Sequence, residues 1–284
     1  MISKGKVLRE LTREESPLLM VGTINAMCAK LAAQAGHRAI YLSGAGVANA
    51  DFALPDLGIT SLDNVVEQAR RITQAVDLPL LIDGDTGFGS VLNVKHSVRQ
   101  FEFIGAAGVH FEDQEFPKRC GQRSGKKLCS INIMQDRIKA AVDARLDQDF
   151  VIMARTDAAN VDGIDAAIDR ALSYVQAGAD MIFAEAVSTL GEYAKFCQAL
   201  SSIPVLANIT EFGVTPLFKV AELKTAGIKI VLYPLSAFRA MNYAAEQVYS
   251  VIKQKGTQGD SIKIMQTREQ LYKLIDYYKY ENEL

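Results

Sequence analysis

The chain has 284 residues, with 31 Lys plus Arg against 33 Asp plus Glu, a formal charge of −2, and 49% apolar residues. A chain this long buries a large core without disulfide or zinc staples. Its near-neutral charge argues against nucleic acid as the main partner, because counterion release needs clustered Lys and Arg. No apolar run reaches about 18 residues, so no membrane span is expected.

The first predicted element is a helix over residues 4–15, with Thr12-x-x-Glu15 as a capping signature. Eight short apolar, β-branched runs follow, at 18–22 (LLMVG), 39–42 (AIYL), 78–82 (LPLLI), 108–111 (GVHF), 150–154 (FVIMA), 181–184 (MIFA), 204–207 (PVLA) and 229–233 (KIVLY). Near-continuous apolar character suits parallel strands buried on both faces. Helical periodicity lies between them. Residues 64–76 place Val65, Ala69, Ile72 and Val76 on one stripe, and 165–177 do the same with Ile168, Leu172 and Val175. Gly36, Gly108, Gly178 and Gly227 each end an Ala-Gly step before a run, where a left-handed glycine cap turns a helix into a strand.

Length alone leaves open two small domains or one barrel. Eight β/α units point to an α/β fold, a (β/α)₈ TIM barrel formed by residues 1–284 as a single domain. The two-domain alternative needs a linker, and no Pro-, Ser- or charge-rich break is present. Residues 240–284 hold more helix than one barrel unit needs. This C-terminal helical extension is expected to pack against a neighbouring subunit.

Barrel enzymes carry their chemistry at the C-terminal ends of the strands. Tyr41 and Ser43-Gly44-Ala45-Gly46 lie at the second run, Asp83-Gly84-Asp85 at the third, and His110 with Glu112-Asp113 at the fourth. Arg155-Thr156-Asp157 ends the fifth, Glu185 the sixth, Asn208-Ile209-Thr210-Glu211 the seventh, and Arg239 follows the eighth. Helix capping explains any one of these more easily than the whole set.

Asp83-x-Asp85 reads as strand positions i and i+2, which face one point. Like charges so placed repel unless a cation separates them, and Glu112 adds a third carboxylate. The set suits Mg²⁺ or Mn²⁺; the plain alternative is a turn stabilised by Asx bonds. A His-rich zinc site is not expected, because His37, His96 and His110 are far apart. Gly44-Ala45-Gly46 suggests a dinucleotide loop, but Asn49 replaces the third glycine.

The four cysteines, Cys28, Cys120, Cys129 and Cys197, form no C-x-x-C pair, and no secretory segment opens the chain. A reducing cytoplasm is the expected compartment. Cys120 lies among Lys118, Arg119, Arg123, Lys126 and Lys127, in a long segment of lid character. Positive charge there is expected to bring the thiol pKa toward neutrality. Taken alone, a cysteine in a basic loop is more often incidental.

Tyr41-Leu-Ser-Gly, Leu54-Pro-Asp-Leu-Gly-Ile, Asp83-Gly-Asp-Thr-Gly-Phe-Gly, Glu112-Asp-Gln, Lys118-Arg-Cys-Gly, Met153-Ala-Arg-Thr-Asp, Ala207-Asn-Ile-Thr-Glu-Phe-Gly and Tyr233-Pro-Leu-Ser-Ala-Phe-Arg together resemble the 2-methylisocitrate lyases of the isocitrate lyase/phosphoenolpyruvate mutase superfamily. The resemblance covers nearly the whole chain and includes Met265-Gln-Thr-Arg. It implies retro-Claisen cleavage of (2S,3R)-2-methylisocitrate to pyruvate and succinate, in propionate breakdown by the methylcitrate route. It also implies Mg²⁺ (with Mn²⁺ as a substitute), a homotetramer and a C-terminal helix swapped between subunits.

In site residues, the resemblance implies metal ligation by Asp83 and Asp85, backed by Asp56, His110 and Glu112. Ser43, Gly44, Ala45, Gly121, Arg155, Glu185, Asn208, Ile209, Thr210, Arg239 and Arg268 would bind the tricarboxylate. Cys120 would be the general acid, and Tyr41, helped by Arg155, would take the hydroxyl proton. The family loop reads Cys-Gly-His-Arg-Pro-Asn-Lys, whereas here it is Cys120-Gly121-Gln122-Arg123-Ser124-Gly125-Lys126. Gln122 does not titrate near pH 7, and Ser124 and Gly125 are expected to loosen the lid. Two alternatives stand beside the lyase: a sister enzyme acting on an oxaloacetate- or phosphonopyruvate-like substrate, and a catalytically weak carboxylate-binding protein. The Cys-bearing loop argues against the sister reactions, which need no thiol acid.

Overall fold

The computed structural model describes residues 3–284. Eight parallel strands close into a barrel in sequence order: β1 Leu18–Gly22, β2 Ala39–Leu42, β3 Leu80–Asp83, β4 Gly108–Glu112, β5 Val151–Thr156, β6 Met181–Ala184, β7 Val205–Asn208 and β8 Ile230–Tyr233. Register runs unbroken from Met20 opposite Ala39 round to Val21 opposite Tyr233. The helices are α1 Lys4–Glu14, α2 Ala26–Gln34, α3 Gly44–Phe52, α4 Leu62–Ala75, α5 Val91–Phe103, α6 Ile131–Ala144, α7 Ile164–Gln176, α8 Leu190–Leu200, α9 Val220–Thr225, α10 Ser236–Lys255, α11 Arg268–Leu274 and α12 Tyr277–Glu281.

Strand parity organises the core. Alternate residues face the barrel interior: Leu18 and Met20 on β1, Leu81 on β3, Val151 and Met153 on β5, Met181 and Phe183 on β6, Leu206 on β7, Ile230 and Leu232 on β8. Their neighbours, among them Ile40, Leu80, Ile82, Ile152, Ala154 and Val231, face the helices. Continuing each inward series two residues up the barrel reaches Asp83, Arg155, Glu185 and Asn208. The rule that packs the interior therefore also aims polar side chains at the mouth. At the opposite end, Leu8 and Leu11 of α1 join the interior cluster. Fully burying Leu8 contributes roughly 1.5–3 kcal/mol.

Several local expectations are corrected. Ser3 caps α1, accepting from the Lys6 N–H, while Thr12 lies inside the helix and donates to the Leu8 carbonyl at 2.8 Å. A β-hydroxyl bonded back to residue i−4 is a helix-interior arrangement, not a cap. The left-handed glycine before β4 is Gly105, with φ 81°, because Gly108 is already the first strand residue. The buried face of α7 is Ala167, Ile168, Ala171 and Tyr174, and Leu172 faces solvent. Small alanines let α7 lie close on the sheet, a pattern that a search for large apolar residues overlooks. No helix among the described residues is long and apolar enough to cross a membrane.

Candidate active site

The barrel mouth holds a cavity of about 310 Å³. Tyr41, Ser43, Ala45, Asp56, Asp83, Cys120, Gly121, Arg155, Glu185, Asn208, Thr210 and Arg239, all expected from the sequence, line it. Seven of the eight β–α connections contribute to this group or to the carboxylates beneath it, so tertiary closure gathers residues spread from 41 to 239.

On one side lies a carboxylate cluster. Ligand atoms of Asp83, Asp85 and Glu112, all buried, lie within 4.8 Å of one another. The convergence arises differently from the strand argument. β3 ends at Asp83, and Asp85 sits in the following turn with φ 47°. Its N–H donates to Asp83 Oδ1 at 3.1 Å, so an Asx-type turn, rather than strand parity, brings the two acids together. The Asx turn and the convergence of acids are one arrangement here rather than alternatives.

The electrostatics of the cluster favour a bound cation. Asp56, Asp83, Asp85, Glu112, Asp157 and Glu185 contribute six carboxylates, and Lys118, Lys126 and Arg155 contribute three cations. Burial pushes Asp85 up to about 6 despite Lys118 at 2.8 Å, with Asp83 and Asp56 adding to the rise. Burial also holds the Glu112 carboxyl well above its usual range. Asp83 goes the other way, because His110, Lys118, Arg155 and the Gly44 N–H outweigh its burial. Glu112 Oε1 is buried with no hydrogen-bond partner. A buried, unpartnered carboxylate oxygen beside two more acids fits a hard divalent cation with oxygen ligands.

Tyr41 and His110 stand behind this cluster. The Tyr41 hydroxyl lies 3.3 Å from Asp83 Oδ2 and 2.9 Å from His110 Nε2, which links both side chains to it by hydrogen bonds. Burial lowers His110 to about 4, so it is neutral at pH 7. Burial and the Asp83 charge push the Tyr41 phenol well above its usual value. A phenol that keeps its proton is a donor, which argues against Tyr41 as acceptor of a hydroxyl proton.

Arg155 is clamped in place. Its Nε and Nη2 bond Asp157 at 2.9 and 3.0 Å, Nη1 lies 3.4 Å from Glu112, and the guanidinium stacks 5.1 Å from the Phe183 centroid. Burial opposes its charge, and Asp157, Glu112 and Glu185 hold it well above its usual pKa. It cannot exchange a proton and acts as a fixed cation. Asp157 in turn is held by Asp113 Oδ1, which accepts from its N–H at 2.8 Å. Asp113 also accepts from Thr156 Oγ1 and the Tyr174 hydroxyl, both at 2.8 Å. Sequence reading missed this Tyr174–Asp113–Asp157–Arg155 chain. Its signal was present, since Asp113 and Asp157 each follow a strand end, but nothing local pairs them.

The segment between β4 and α6 folds over the mouth as a lid. Two of its five cations are paired with carboxylates, Lys118 with Asp56 and Asp85, and Lys126 with Asp157 at 2.8 Å, and Lys126 also donates to the Gly121 carbonyl at 2.6 Å. This weakens the basis for a lowered cysteine pKa. Burial raises the Cys120 thiol, Asp56 and Glu185 add to the rise, and the Gln122 N–H and Arg155 offset it only in part. Cys120 is therefore a protonated thiol at neutral pH, suited to giving a proton.

The glycine in the lid sits at a defined position. Gly125 adopts φ 79°, a left-handed conformation that glycine or asparagine takes readily and most side chains do not. Gly121 is equally constrained, since a Cβ would collide with Arg155 Nη2 and lie 2.6 Å from Glu185 Cγ.

Three expected binding residues offer the cavity nothing directly. The Gly44 N–H donates to Asp83 Oδ2 at 3.0 Å, and so braces the metal ligand instead. Ile209 is buried in the core, with its N–H bonded to the Leu232 carbonyl at 2.8 Å. Arg268 opens α11, an exposed position on a helix that packs against α2, and it does not line the cavity of its own chain.

Fold and site together define a class: a barrel enzyme for carboxylate substrates, with a buried acid cluster suited to a divalent metal and a thiol-bearing lid. The family described as phosphoenolpyruvate phosphomutase matches residues 8–253, and the chain belongs to it. Within that family it belongs with the 2-methylisocitrate lyases. It is 56% identical to the 2-methylisocitrate lyase of Escherichia coli (strain K12), over 99% of this chain and 95% of the relative. Among solved structures, a 2,3-dimethylmalate lyase superposes with TM-score 0.92 at 30% identity, covering 99% of this chain and 94% of that one. A phosphonopyruvate hydrolase complex with oxalate and Mg²⁺ gives TM-score 0.87 at 30% identity, covering 99% and 98%.

Proposed function

We propose that this lyase cleaves (2S,3R)-2-methylisocitrate to pyruvate and succinate. The observation that carries the reading is the Cys120 thiol lining the same cavity as Asp83 and Arg155, where burial raises its pKa and favours it as an acid. A divalent cation, Mg²⁺ in this reading, supplies Lewis-acid stabilisation of the substrate hydroxyl oxygen when bound.

Asp83, Asp85 and Glu112 would hold that cation, with Asp56, His110 and Tyr41 bracing them. Arg155 receives the carboxylate next to the hydroxyl, and Ser43 and the Ala45 N–H take its remaining oxygens. The hydroxyl proton passes to Glu185, a cavity carboxylate outside the metal cluster that returns it to solvent on product release, and the carbonyl of pyruvate forms as the C–C bond breaks. The bonding pair moves to the carbon beside a carboxylate in the succinate half. Asn208, Thr210, Arg239 and the Gly121 N–H bind that half, with Glu185 orienting Asn208, whose Nδ2 lies 3.2 Å from its carboxylate. Donors already fixed before charge develops lower the barrier most. Cys120 gives its proton to the carbanion, and solvent restores the thiol on product release. The closed lid excludes water while the carbanion exists.

The site thus works on a small tricarboxylate. The reading extends to a cytoplasmic homotetramer, supported by four free cysteines and by an α10 that buries no residue within the chain. Tyr243, Tyr249, Ile262 and Ile264 in residues 240–284 are each more than half exposed, as expected of an extension covered by another subunit. Light scattering after size exclusion tests the assembly.

The decisive experiment is pyruvate release from methylisocitrate and from isocitrate, with Mg²⁺ and with EDTA. We expect turnover of methylisocitrate with Mg²⁺ alone. Binding of pyruvate and succinate without turnover would overturn the lyase reading.

A further inference from the structure

Gln122 joins three segments through one side-chain amide. Its Nε2 donates to the Glu185 carboxylate beyond β6. Its Oε1 accepts from the Val214 N–H at 2.8 Å and the Thr215 N–H at 3.4 Å, both in the segment between β7 and α9. That segment presents glycine where the amide seats, since a Cβ on Gly213 would fall 2.6 Å from Gln122 Oε1. Lys118 and Lys126 tie the lid to the β3 and β5 side through Asp56, Asp85 and Asp157. Gln122 ties it to the opposite side, where β6 and β7 end.

We propose that Gln122 is a positioning residue, a latch that seats the lid on the β6 and β7 ends and so sets Cys120 and Gly121 against the succinate-binding groups. The inference deepens the lyase reading and rests on it. An amide suits the task because it offers a donor and a two-lone-pair acceptor on one planar group. A carboxylate lacks the donor, and a thioether lacks useful amounts of both. Glu185 needs such a donor, because its other close polar neighbours are the Asn208 amide at 3.2 Å and Arg155 at 3.7 Å, and the latter is already engaged by Asp157. A displacement of about 1 Å in a positioning group costs on the order of 10²-fold in rate, so the seat of the lid matters to the chemistry.

The test compares the Mg²⁺-loaded wild type with Gln122→Met, which keeps length and loses all three bonds, and Gln122→Glu, which sets a like charge against Glu185. The first readout is the rate of Cys120 alkylation by iodoacetamide without substrate, resolved by peptide mass spectrometry, with Cys28, Cys129 and Cys197 as internal references. Opening the lid exposes the thiol and relieves the burial that raises its pKa, so both effects speed alkylation. We expect Cys120 to react about tenfold faster in both variants, the scale of one lost hydrogen bond to a charged group, with the three references unchanged. The second readout is turnover of methylisocitrate, where we expect kcat to fall by about tenfold with KM within about twofold. Unchanged Cys120 alkylation overturns the latch, as does an equal rise at all four cysteines, which marks general loosening. Alkylation uses no substrate, so it decides on the latch even where methylisocitrate is not cleaved.

Discussion

The two sides of the cavity are built by different means. The β3–β4 side is scaffold: Asp83 and Glu112 sit on strands, Asp85 follows in a braced turn, and all three are buried. The lid side is held by side chains reaching across loops, namely Lys118, Gln122 and Lys126. The first arrangement suits a charge site that stays assembled through the reaction. The second suits a cover that admits substrate and then closes. The difference teaches that one barrel can anchor its ion by backbone and its acid by side-chain contacts that a loop makes on closing.

The comparison breaks most readily at the scaffold side. Asp85→Ala should lower methylisocitrate turnover by at least about 10³-fold, since Lewis-acid stabilisation is worth several kcal/mol. Pyruvate release that persists in EDTA would refute this. Cys120→Ser should cost about 10²–10⁴-fold in kcat while succinate and pyruvate still bind, the scale of a lost general acid. The pH profile sharpens that result. A general acid works only while protonated, so activity falls as pH rises through its pKa. Burial raises the Cys120 thiol, which places the alkaline limb above pH 9, the ordinary thiol value. Cys120→Ser should remove that limb from the residual rate, and a limb that survives unchanged belongs to another group.

A smaller loss is expected from Gly121→Ala. Its methyl meets Arg155 and Glu185 and lifts the lid, for a drop on the order of 10²-fold in kcat/KM at unchanged metal affinity, read by calorimetry with Mn²⁺. The smallest effect lies beneath the site. Tyr174→Phe removes a donor from the buried Asp113 carboxylate and should destabilise the fold by about 1–3 kcal/mol in urea unfolding. Its turnover should stay near wild type, because Asp113 keeps the Asp157 N–H and Thr156.

Much of this was legible in the chain itself. The strand-like runs and the acids beyond them are contiguous in sequence, so apolar patterning located both the barrel and most of its mouth. Interior parity carried Arg155, Glu185 and Asn208 to the right place. Legibility stopped where a property depends on residues distant in sequence. The five cations around Cys120 suggested a thiolate, yet Lys118 and Lys126 pair with Asp56, Asp85 and Asp157, 31 to 62 residues away. Gln122 looked like the loss of a titrating group, and its bonds run to positions 63 to 93 residues along the chain. Arg268 carried a motif match, and within a single chain α11 does not bring it into the cavity.

By itself, the sequence determined the succession of eight β/α units, the family, and the set of polar residues at the strand ends. These follow from local periodicity and from residue types at fixed spacings. Tertiary structure alone decided protonation and pairing: a neutral His110, a protonated Tyr41 and Cys120, a clamped Arg155. Those states depend on desolvation and on charges within a few ångströms, and barrel closure creates both by bringing together residues that the chain keeps far apart.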